Sequence, residues 1–186
     1  MFIDKLKEKP KSRTLIIIFI GGFFIFILLN TLVFQPLGQI VTGHSILDFE
    51  FAWVPEQVLV IFASWGEEGM ILQTIGVFWD YLYIVGYVSF LFGGILLVAR
   101  ELSGKWQKIG LYVGIISILA GLFDAIENIF LLTMLYAPNP NNIISIIPAT
   151  TGIMATLKFG GIFIALIYFV PGLIAVVIKM FKNRTV

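Results

Sequence analysis

The chain has 186 residues, 59% of them hydrophobic and 12% charged, with a formal net charge of +1. Soluble domains carry about 25% charged residues, so this composition belongs in a bilayer, and a near-neutral charge gives no case for a nucleic-acid partner. The absence of cysteine removes disulfides, thiolate metal sites and thiol catalysis, and the single histidine excludes a multi-histidine metal site.

Apolar runs at roughly 14–34, 70–99, 109–136 and 151–179 are each long enough for a ~30 Å hydrocarbon core, which takes about 20 helical residues. They are continuous rather than alternating, so helices are expected and not a barrel. The expected architecture is therefore all-α: a single-domain four-helix transmembrane bundle over 1–186. Eleven of the twelve basic residues lie on one side of it. Lys5, Lys7, Lys9, Lys11 and Arg13 precede the first span. Arg100, Lys105 and Lys108 join the second to the third, and Lys179, Lys182 and Arg184 follow the fourth. The positive-inside rule then puts both termini in the cytoplasm. The first apolar stretch is longer than a signal-peptide core and is followed by no small-residue cleavage site, so an uncleaved anchor is expected.

The first outer connection, 35–69, carries two signals. ILDFEF (46–51) alternates apolar and acidic residues, a period-2 pattern that predicts an extended piece on an apolar surface. VPEQVLVIFASW then starts with Pro55, Glu56 and Gln57, which is helix-start chemistry. The apolar part is too short to span, so a short interfacial helix is expected over about 55–65, with Trp53 and Trp65 at headgroup level. Gly66 ends it, and Glu67 and Glu68 open the second span where the helix dipole favours acids. His44, Asp48 and Glu50, with Glu67 or Glu68, are an alternative ligand set for a hard or borderline metal. One histidine and irregular spacing argue for a solvated loop instead, and no metal is expected. The second outer loop, YAPNPNNIISIIPATTG, carries no charge.

Polar residues recur inside the spans. In the third, Gly110, Gly114, Ser117, Gly121, Asp124 and Asn128 fall on one helical stripe with Glu127 beside it. Small residues let membrane helices approach, so the stripe predicts a packing face. Gln73, Gly76, Asp80, Tyr83 and Tyr87 share a face in the second span; Thr151, Ala155, Lys158, Gly161, Ala165 and Tyr168 share one in the fourth; the first contributes Asn30. Counted from the outer ends of their spans, Asp80, Asp124, Glu127, Lys158 and Asn30 all fall roughly 6–18 Å deep at about 1.5 Å per residue. The predicted site is this layer: Asp80, Asp124, Glu127, Asn128, Lys158, Asn30, Tyr83 and Tyr87. An unpaired charge there costs about 2.5–3.5 kcal/mol. Lys158 can answer one acid, with Asp124 or Glu127 its expected partner. The surplus must be protonated, hydrated or matched by something outside the chain.

No catalytic motif and no cofactor-binding motif is present. The leading expectation is a membrane protein whose outward-facing carboxylate and lysine cluster binds or moves a small polar molecule, a lipid headgroup or an ion. The alternatives are an acid–base enzyme acting on a membrane-embedded amphiphile, with Lys158 holding an anionic group, and a structural subunit whose cluster is only a buried polar lock. A homo-oligomer stays open, since no second packing face is legible. The motifs ILDFEF, GEEG, WDYLYIVGY, FDAIEN and TLKFGG together resemble those of a set of small, uncharacterised prokaryotic four-span membrane proteins. That resemblance implies this architecture only and carries no activity with it; the expected location is a prokaryotic cell membrane.

Overall fold

The computed structural model describes residues 2–137 and 143–182. The loop stretch 138–142 and Arg184, both used in the sequence reading, lie outside the described residues. Every regular element described is helical: α1 (Phe2–Lys5), α2 (Ser12–Leu29), a π-helical segment (Asn30–Phe34), α3 (Gln35–Ile40), α4 (Ile46–Glu50), α5 (Pro55–Glu101), α6 (Gly104–Leu135) and α7 (Ile146–Lys182). Four helices, Ser12–Ile40, Pro55–Glu101, Gly104–Leu135 and Ile146–Lys182, are long and apolar enough to cross a membrane.

The spans pack in chain order, α2 on α5, α5 on α6 and α6 on α7, with α5 also meeting α7. α5 is the centre: 56% of its most apolar stretch is buried, against 11% for α2, which leaves most of its surface facing outward. The α2–α5 seam depends on missing side chains. A Cβ on Gly22 would fall 2.5 Å from the Phe90 backbone nitrogen, and one on Gly86 would fall 2.9 Å from that of Phe26. Glycine there lets two backbones touch.

The first span runs past its predicted end. Its helix widens at Asn30–Phe34, where the Gln35 N–H reaches back to the Asn30 carbonyl, and continues to Ile40. Pro36, which has no N–H to give, follows directly.

The outer connection corrects two expectations. Residues 46–50 form α4 rather than an extended piece, because Ser45 and Asp48 close a capping box. The Ser45 N–H and hydroxyl donate to Asp48 Oδ2 at 2.7 and 2.8 Å, and the Asp48 N–H donates to Ser45 Oγ at 3.2 Å. Those Ser45 donors hold the Asp48 carboxyl below its usual range. Trp65, expected at headgroup level, is buried against Phe49 and Phe62 and donates from Nε1 to the His44 carbonyl at 2.7 Å. Trp53 does remain exposed. The break at Gly66 falls where the sequence puts it: φ is 63° and ψ −177°, a conformation open to glycine, so α5 divides into an outer arm, 55–65, and a spanning part from 67.

The apolar core comes in two pieces. The inner cluster joins residues such as Leu15, Leu91, Ile95, Leu111 and Phe169, and the outer one joins Phe49, Val58, Phe62, Trp65, Val77, Leu131 and Met134. Between them lies the polar layer.

Candidate functional site

The polar stripes do face inward. Ser117, Asp124, Glu127, Asn128, Thr151 and Lys158 are all buried, as are Gln73 and Tyr87. Lys158, in the first half of α7, lies 3.0 Å from Glu50 Oε2, 3.0 Å from Glu127 Oε2 and 3.2 Å from Asp124 Oδ1. Its ammonium donates to Glu50 Oε2 and, at 3.1 Å, to Glu127 Oε1. Asp124 Oδ1 and Glu127 Oε2 touch it at ion-pair distance without an aligned N–H. The same ammonium sits 4.6 Å from the centre of the Phe159 ring. One partner was expected for Lys158, Asp124 or Glu127; it meets both, and a third acid joins them.

Glu50 is the residue that sequence reasoning missed. α4 carries it in from the outer loop, 108 positions from its lysine. Its period-2 spacing with Asp48 put it on a solvated face. In the helix that Ser45 and Asp48 start, Phe49 and Glu50 both turn inward and are 0% and 8% exposed. Burial pushes the Glu50 carboxyl above its usual range, against the pull of Lys158.

A second set of contacts lies on the α5 side. Tyr87 Oη donates to Asp124 Oδ2 at 2.9 Å, and Asn128 Nδ2 donates to Asp80 Oδ2 at 2.7 Å. Tyr83 stands among rings, with its centre 5.1 Å from that of Phe26, 4.9 Å from Phe34 and 5.9 Å from Tyr87. Asn30 starts the π-helical segment, and such segments often mark functional positions.

These groups border one cavity of about 800 Å³, within the range that small-molecule sites occupy. Asp80, Asp124, Asn128, Lys158, Asn30, Tyr83 and Tyr87 all line it, and so do Glu50 and Gln73. Glu127 is the exception among the predicted residues. It is 0% exposed and sits behind Lys158, outside the cavity wall. Gln73 was legible only as a member of the α5 stripe. Towards the outer surface the wall passes to Thr42, His44 and Ser45; towards the inner side it passes to Phe90, Leu91 and Leu166.

The alternative metal set does not assemble. His44 Nδ1 lies 2.9 Å from Ser64 Oγ, Asp48 caps α4, and Glu50 meets Lys158. Among the described residues no group of three His, Cys, Asp or Glu side chains is arranged to hold a metal ion.

Comparison with protein-family models, with curated proteins and with solved structures finds no match to this chain. Its chemistry is therefore argued from the site alone.

Proposed function

We propose that this integral membrane protein binds a small polar or amphiphilic molecule in the cavity between its spans, with the mouth outward and both termini in the cytoplasm of a prokaryotic cell. The observation that carries the reading is the cavity wall itself. Side chains from four helices, Asn30, Asp80, Asp124 and Lys158 among them, converge on one space at membrane depth. Ionisable residues at such a depth are costly and point to a working site by default.

A second reading holds for part of the cluster. Glu127 is sealed from the cavity and joined to Lys158, so this pair acts as a buried lock between α6 and α7. Lys158 is also surrounded by three carboxylates, which leaves it a poor holder of an anionic substrate group. That removes the main support for acid–base chemistry on an anionic amphiphile.

Thermal stabilisation of the purified protein by a panel of amphiphiles, anionic, neutral and cationic, tests the binding reading; a panel with no stabiliser counts against it. Orientation is tested separately. Because the chain has no cysteine, a membrane-impermeant maleimide applied to intact cells should label Thr42→Cys and leave Lys105→Cys untouched. The reverse pattern would invert the topology.

A further inference from the structure

Resting on that binding reading, we infer that the cavity's ligand is a hydrophobic organic cation, its charged head held beside Asp80 and its apolar body entering from the bilayer between α2 and α7.

Charge is the first argument. Glu50, Asp80, Asp124 and Glu127 are four carboxyl groups around one ammonium, and among the described residues Lys158 is the only Lys or Arg that lines the cavity. Lys158 contacts three of the four acids. Asp80 is left with Asn128, a neutral amide that serves one of its two oxygens. One ammonium answers one of its three acids, so acid is in surplus around the lysine as well, and Asp80 is the acid of the cavity wall that no cation touches. An anion would find no free cation there.

Gln73 is the second and independent observation. It is 4% exposed and lines the same cavity two turns from Asp80. Its amide carries donors and an acceptor in the cavity wall, where a polar ligand can hydrogen-bond it.

The third argument is shape. Tyr83, ringed by Phe26, Phe34 and Tyr87, offers aromatic faces beside Asp80, a setting that favours organic cations. The cavity also reaches the lipid-facing side. Phe159 and Leu166 of α7 line it and yet are 39% and 40% exposed. Phe26 of α2 lines the cavity too, and further towards the inner end the Phe19 and Phe169 rings of the same two helices lie 6.2 Å apart. A ligand with an apolar body can enter there.

The test uses the full chain in nanodiscs of neutral lipid, with empty nanodiscs subtracted. Tetraphenylphosphonium is compared with tetraphenylborate, which has the same shape and opposite charge, with tetramethylammonium, which has the charge without the apolar body, and with neutral octylglycerol. Saturable binding of tetraphenylphosphonium is expected, at least about tenfold tighter than any other arm. Asp80→Asn should weaken it by about tenfold or more, and Gln73→Leu, a second variant in case the first does not fold, by several-fold. Equal binding of tetraphenylborate, or binding of octylglycerol alone, overturns the cation assignment and leaves the binding reading standing. Equal binding of tetramethylammonium overturns the bilayer route. Unchanged tetraphenylphosphonium binding in a folded variant overturns the site. Binding in no arm defeats both this inference and the reading beneath it.

Discussion

Lys158 and Asp80 border the same cavity and are served in opposite ways. Around Lys158, one carboxylate from α4 and two from α6 crowd one ammonium, and one of them is fully sealed. Around Asp80 there is a single amide donor, a glutamine in the same wall and a group of aromatic rings. The first region is a knot: one ammonium ties three acids together, and part of their cost of burial is offset inside the chain. The second is a wall with unspent polar capacity. Stability should therefore depend on the first and ligand recognition on the second.

The largest effect is expected at the knot. Lys158→Met leaves three buried carboxylates with no cation, and breaking a buried pair costs about 3–5 kcal/mol. Thermal unfolding in lipid should show a drop of many degrees. Adding Glu127→Gln should recover part of it, because fewer charges are then stranded. A Lys158→Met protein that melts with the wild type would show that the knot holds nothing.

Glu50→Gln sharpens the comparison through pH. Burial raises the Glu50 carboxyl above its usual range, so between the usual value and the raised one the folded chain holds a proton that the unfolded chain has released. Stability is then full below that window and falls as pH rises through it. From about pH 5 upward the wild-type melting temperature should decline, and Glu50→Gln should decline less steeply. Asp48 does not interfere, because a carboxyl held below its usual range loses its contribution only as pH falls into acid. Parallel slopes in the two proteins would mean that Glu50 is not the buried acid described.

How much of this was readable beforehand divides along the same line. Helix period and the inward stripes found Asp80, Asp124, Glu127, Asn128 and Lys158, because one helix places residues three and four apart on one face. Gly66 was readable because its break needs a residue without a side chain. Glu50 was not found, although Ser45 and Asp48 stand three apart as a capping box requires. Alternating hydrophobicity outweighed that short signal. Even with α4 recognised, a lysine 108 residues away leaves no mark in local sequence. Trp65 failed similarly: its partner, the His44 carbonyl, is set by how the loop folds back.

Ser45→Ala follows from that oversight, with a smaller effect. Losing an N-cap hydroxyl costs about 1 kcal/mol. Here it loosens the turn that delivers Phe49 and Glu50, so the cost should show as faster amide exchange over 45–50 with the spans unchanged. Protection kept at wild-type level would mean that packing of Phe49, not the cap, holds α4.

Asp80→Asn should affect stability least, and it decides most. The substitution keeps the shape of the side chain, exchanges a carboxylate for an amide, and leaves every Lys158 contact in place. Asn128 can turn its own amide to present an oxygen, so the 2.7 Å contact survives as a neutral hydrogen bond worth about 1 kcal/mol. Removing a buried charge that the chain does not pair offsets much of what is lost. The melting temperature should stay within a few degrees of wild type or rise, a shift of under about 1 kcal/mol. A deep loss would mean that Asp80 belongs to the knot after all, tied to Lys158 through Asp124. In that case the whole layer is one lock, and the contrast between a self-satisfied cluster and a waiting wall disappears.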